Sequence, residues 1–154
     1  MKLTAGLFSL SVLAASTLAA QTNPTPVCTV KLSSDSVKVG AKFKAVVTVK
    51  FADGFHGYQN PPTDEFQVPV TIIAGDKVFK VSKVTYPKGK PYTMEGDKKA
   101  NMVYANSTNF TVDCVAPKQA GTYEIKLEVK YQQCTNRDCY PPSSVFVTAK
   151  VKVQ

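Results

Sequence analysis

Two cysteines, Cys134 and Cys139, flank the tetrapeptide Thr135-Asn136-Arg137-Asp138, close enough in sequence to bond with little backbone travel. A pair at this spacing supports two chemistries. It can clip a turn, or it can exchange electrons with another protein through thiolate attack and a mixed disulfide. Two further cysteines, Cys28 and Cys114, lie upstream. In an exported chain four cysteines are expected to pair, and three pairings are open. The short spacing favours Cys134 with Cys139, which leaves Cys28 and Cys114 to form a structural disulfide between the first strand and a middle one. Chain entropy separates the two bridges: the short loop is worth roughly 2 kcal/mol and the long one roughly 4.5 kcal/mol. Ignoring strain, the short bridge is then the more oxidising by about 50 mV. Spacing alone does not choose between clip and reactive pair.

Export is read from the N-terminus. Residues 1–20 carry one basic residue, Lys2, then an apolar stretch to Leu18, then small residues before Gln21. This is the pattern of a cleaved signal peptide, with the cut after Ala19 or Ala20. A transmembrane helix is the alternative, but the Ala/Ser/Thr-rich end and missing basic stop-transfer flank disfavour it. Later apolar runs are strand-sized, so no membrane insertion is expected after cleavage, and the expected location is periplasmic or secreted. The 19 basic and 11 acidic residues give +8. The lysines are spread singly along alternating segments, which reads as a solvated strand face rather than a nucleic-acid footprint.

Other candidate chemistry is thin. His56 is the sole histidine, and no nucleophile motif accompanies it for a hydrolytic triad. It reads as a structural or surface residue. Two cysteines and one distant histidine fall short of the usual zinc sets. Copper(I) held by the two thiolates with Met94 or Met102 is an alternative, since all are soft ligands. Arg137 would favour a thiolate nearby and Asp138 would oppose it. Tyr131 and Tyr140 flank the cysteines and, with Pro141 and Pro142, form a candidate apolar rim for a protein partner.

The elements that must hold these residues are strands. Apolar residues alternate with polar ones at Phe43/Ala45/Val47/Val49/Phe51, Phe66/Val68/Val70/Ile72, Tyr123/Ile125/Leu127/Val129/Tyr131 and Val145/Val147/Ala149/Val151/Val153. A period of two belongs to half-buried strands. Turn signals at Asp53-Gly54, Pro61-Pro62, Gly75-Asp76 and Pro141-Pro142 separate the runs. The reading is an all-β, immunoglobulin-like sandwich of about seven to nine antiparallel strands over residues 28–154, after a flexible lead-in at 21–27. Tyr123, just after Gly121, is a candidate tyrosine corner.

The segment Tyr131-Gln132-Gln133-Cys134, a short insert, then Cys139-Tyr140-Pro141-Pro142 resembles the active-site stretch of the N-terminal periplasmic domain of DsbD, a membrane thiol-disulfide reductase. Asp53-Gly54-Phe55-His56-Gly57-Tyr58 resembles an upstream element of the same family. The resemblance implies an immunoglobulin-like fold and a thiol-disulfide exchange module that needs no cofactor. It implies catalytic roles for Cys134 as attacking thiol and Cys139 as resolving thiol. Implied partners are periplasmic thioredoxin-like or disulfide isomerase proteins, with a membrane reductant conduit as possible donor. The family shields its cysteines with a cap loop, for which Tyr92, Met94 and Glu95 are the candidates here. A redox-inert binding module with two structural disulfides is the rival reading.

Overall fold

The computed structural model describes residues 24–154. The segment read as a signal, residues 1–20, lies outside the described residues. Twelve strands follow in order: β1 (Val27–Leu32), β2 (Ser36–Val37), β3 (Lys42–Lys50), β4 (His56–Tyr58), β5 (Thr71–Ala74), β6 (Lys80–Thr85), β7 (Lys90–Tyr92), β8 (Asn101–Ala105), β9 (Ser107–Val115), β10 (Gly121–Tyr131), β11 (Gln133–Cys134) and β12 (Ser143–Val153). They form three four-stranded sheets, ordered β1-β3-β9-β6, β2-β12-β10-β5 and β11-β4-β8-β7. The fold is all-β and immunoglobulin-like, as the alternation implied. The strand number exceeds the expectation because β2, β4, β7 and β11 have only two or three residues each, too few to show a period. Pairing is antiparallel except between β2 and β12.

The first two sheets enclose the core. Ala45, Val47 and Val49 of β3, Phe110 and Val112 of β9, and Ile125, Leu127 and Val129 of β10 are fully buried. Each follows the two-residue period of its strand, and together they exclude water from one contiguous cluster. Two runs break the period for identifiable reasons. In β6 the register shifts between Val81 and Lys83, so Val81 and Val84 both reach the core despite odd spacing. The run Phe66–Ile72 is not one strand: Phe66 is 86% exposed, an isolated bridge joins Pro69 to Tyr58, and β5 begins only at Thr71. There the Asp64 side chain accepts the Phe66 amide at 2.9 Å, closing a local turn that competes with a sheet ladder.

The start of β10 and the chain's lead-in are each tied down by a side-chain bond to backbone. Tyr123 Oη donates to the Gln119 carbonyl at 3.0 Å, the bond of a tyrosine corner. The expected lead-in is anchored at its C-terminal part: Pro26 is buried, Val27 pairs with Lys50, and the Pro24 carbonyl accepts from Gln133 at 2.8 Å.

The third sheet is what positions the cysteines. The chain leaves β3 through Phe51, turns at Gly54 (φ 79°), and re-enters as β4. It leaves β10 at Tyr131 and continues as β11, which pairs with β4. Gly57 makes this junction possible: a Cβ there would meet the Phe51 ring at 2.7 Å. The phenyl ring therefore lies directly under β4. The side chains of His56 and Tyr58, one residue either side of Gly57, are carried on the opposite face.

Candidate active site

Cys134 and Cys139 are joined by a disulfide, with Cα atoms 4.0 Å apart. The loop between them is held by its own backbone and hydroxyl bonds. Thr135 N donates to the Asp138 carbonyl at 2.8 Å, and Thr135 Oγ1 accepts from the Arg137 and Asp138 amides. Below the loop, Tyr140 N donates to the Gln133 carbonyl at 2.9 Å, and Gln132 Nε2 donates to the Tyr140 carbonyl at 3.1 Å. The two sulfur-bearing residues differ sharply in access: Cys134 is 0% exposed, whereas Cys139 is on the surface.

Around the buried cysteine lies a small second core of Tyr58, Val103 and Cys134, with Tyr92 and Met94 packed on it. Tyr58 Oη stands 3.6 Å from Cys139 Sγ and 3.7 Å from Met94 Sδ. Burial pushes the Tyr58 phenol above its usual value, and Asp97 and Asp64 add to the effect. The hydroxyl therefore stays a neutral donor beside the sulfurs. The Tyr92 ring lies 4.4 Å, centroid to centroid, from the His56 imidazole.

The segment from Tyr92 to Glu95 is tied to the cysteine loop at three points. Glu95 forms a two-pronged ion pair with Arg137, at 2.5 Å to Nε and 3.3 Å to Nη2. Glu95 N donates to the Asn136 carbonyl at 2.8 Å, and Tyr92 Oη donates to Asn136 Oδ1 at 3.5 Å. Arg137 is thus turned to Glu95. Tyr140 packs on Phe55 at 6.1 Å, and Pro141 is exposed beside it. Met102 neighbours Val103 on β8 and so takes the face away from the sulfurs, unlike Met94.

The family model described as "Thiol:disulfide interchange protein DsbD, N-terminal" matches residues 27–150. The chain belongs to this family. No curated protein matches it. The N-terminal periplasmic domain of ScsB from Proteus mirabilis superposes with a TM-score of 0.57 at 14% identity, over 80% of this chain and 46% of that one. The chain therefore spans about half the length of that structure. The DsbD N-terminal domain of Neisseria meningitidis, in its reduced form, gives a TM-score of 0.46 at 19% identity, over 75% of this chain and 86% of that one.

Two expectations about this DsbD N-terminal domain are corrected. Cys28 and Cys114 are not bonded to each other. Cys28 pairs with Val49 on one side of β3, and Cys114 pairs with Phe43 on the other. Six residues along β3 and two strand spacings across put their Cα atoms on the order of 20 Å apart, beyond disulfide reach. Burial pushes both thiols up to about 11, so neither supplies thiolate near neutral pH.

Tyr131 is not part of a rim. It continues the inward period of β10, is 4% exposed, and packs edge-on against Phe51 at 6.2 Å.

The two bonded cysteines do not share one environment. Cys134 is buried in the second core, whereas Cys139 lies on the exposed loop.

Sequence reasoning read His56 as a structural or surface residue and gave Tyr58 no role, yet β4 carries both on the face that meets the cysteines. Tyr58 and His56 sit two apart in the upstream motif, and that spacing was the available signal that they share a face. What hid them was the pairing of β4 with β11, a contact between segments more than seventy residues apart.

Proposed function

We propose that this domain passes reducing equivalents to periplasmic thioredoxin-like or disulfide isomerase proteins by thiol-disulfide exchange at Cys134 and Cys139. In its reduced form, the Cys139 thiolate attacks the partner's disulfide. A mixed disulfide forms, and one partner sulfur leaves as thiolate. Cys134 then attacks Cys139 Sγ, the second partner sulfur leaves, and the pair is oxidised again. Two electrons pass to the partner, and the reaction requires no cofactor. A membrane-bound reductant conduit is the donor class that would recharge the pair, and export by cleavage of residues 1–20 places the domain where such partners work.

The observation that carries this reading is the unequal burial of two bonded cysteines, one at 0% exposure and one at the surface. A clip needs no such asymmetry. A two-step exchange uses it, because the partner meets one sulfur and the other acts from within. The Tyr92–Glu95 segment acts as a cap that must move for a protein partner to approach, and Tyr140 with Pro141 supplies an apolar rim for docking.

The test is trapping. Cys134→Ser, reduced and mixed with an oxidised thioredoxin-like protein, should accumulate a mixed disulfide through Cys139. Cys139→Ser should accumulate none. Equal trapping by both variants, or a native disulfide that resists dithiothreitol and every such partner, would leave only a structural clip.

A further inference from the structure

The exchange cycle has a step that the exposed cysteine does not explain. When Cys134 resolves the mixed disulfide it must lose a proton, yet it is 0% exposed and cannot hand that proton to bulk water. The residue directly across the sheet from it is His56, its register partner in the β4–β11 pairing. Residues so paired carry their side chains on the same face, with Cβ atoms about 4.5–5.5 Å apart. His56 is itself 2% exposed, and its Nε2 is buried with no hydrogen-bond partner among the described residues. A buried polar atom left without a partner is costly, and its retention calls for a role.

We propose that His56 is the proton acceptor for Cys134 in the resolving step, a reading that rests on the exchange function proposed above. In the disulfide form Nε2 makes no hydrogen bond to Cys134 Sγ; once the pair is reduced the freed thiol turns toward the ring across the sheet, and Nε2 takes its proton. The resulting thiolate attacks Cys139 Sγ, the Cys139–partner bond breaks, and the partner's sulfur leaves with the electron pair. The imidazolium then returns its proton to that leaving thiolate or to solvent as the cap opens. In the reverse direction, protonated His56 supplies the proton to Cys134 when a donor reduces the pair.

The surroundings suit the task. The titratable groups facing the imidazole are Cys134 from β11, Tyr92 from β7 and Tyr58 from its own strand, while β8 presents Ala105. The ion pair of Glu95 and Arg137 lies outside on the exposed cap, and Asp64 and Asp97 act on Tyr58. Among the described residues no carboxylate is paired with the ring, and burial lowers its pKa, so it rests neutral and able to accept.

The experiment separates the two steps with a chromogenic aryl disulfide, dithiobis-nitrobenzoate, in stoichiometric amount with the reduced full chain. The first coloured thiolate reports attack by Cys139, and the second reports resolution by Cys134. His56→Gln should leave the first release within about twofold and slow the second about tenfold or more. On the unaltered protein, the second rate should be flat with pH above the histidine pKa and fall tenfold per unit below it. This profile stands even if the variant does not fold. Equal second-step rates in native protein and variant, or a native second step rising tenfold per unit through roughly pH 7–9, would overturn the role of His56 alone. No release from the native protein in either step would overturn the exchange function itself.

Discussion

The hydroxyl of Tyr58 stands 3.6 Å from the sulfur of Cys139, the more exposed half of the disulfide. Because burial keeps this phenol protonated, it can donate to a Cys139 thiolate once the bond is reduced. Tyr58→Phe should therefore raise the Cys139 pKa and slow its alkylation by iodoacetamide at pH 7 by about fivefold, the equivalent of one hydrogen bond of about 1 kcal/mol. An unchanged alkylation profile would show that the hydroxyl only packs.

One of the ties between the Tyr92–Glu95 segment and the cysteine loop is an ion pair whose side chains are 70% and 55% exposed, so its loss should hardly change stability. Arg137→Ala should instead speed reduction of the disulfide by dithiothreitol, because the Tyr92–Glu95 segment is released from the cysteine loop. High salt should speed the native protein in the same sense by screening the pair. A reduction rate indifferent to both changes would mean the segment is held by its backbone bond to Asn136 instead.

Denatured without reductant, the protein should show two reactive thiols, those of Cys28 and Cys114. Reduction should cost only about 2 kcal/mol of unfolding free energy, the value for a short loop, with none of the larger loss a long bridge would bring. Urea denaturation with and without reductant gives the figure. A loss near 6 kcal/mol would restore the second bridge.

Burial lowers the pKa of His56 below the usual 6.5. Below that value the unfolded chain binds a proton that the folded chain refuses, so the unfolded state gains. Stability should fall as pH drops from about 7 toward the folded-state pKa and level off beneath it. His56→Gln should flatten this slope in urea titrations between about pH 7 and 5.

Gly57→Ala would press a methyl group into the Phe51 ring, 2.7 Å from its Cζ. The expected cost is about 1–3 kcal/mol, from overpacking. Because β4 carries both His56 and Tyr58, the same change should also slow exchange at the disulfide, measured beside the thermal midpoint.

Much of the fold was legible because its long strands each bury one face. The alternation in Phe43–Phe51, Tyr123–Tyr131 and Val145–Val153 reports burial directly, and those side chains do line the core. Where a bulge intervenes at Val81/Lys83, or a side-chain turn at Asp64–Phe66, the two-residue rule fails because the backbone no longer advances by a regular pleat.

The sandwich, the family membership carried by the Cys134–Cys139 segment and the proximity of those two sulfurs are all readable from the residues alone, since each depends on local spacing and composition. That Cys28 and Cys114 stand apart, that Tyr131 is core, that Cys139 is the exposed half of the pair and that His56 lies across from Cys134 emerge only once the sheets are packed. Those outcomes depend on register between distant strands, and a register is set by how whole sheets pack, which no local pattern encodes.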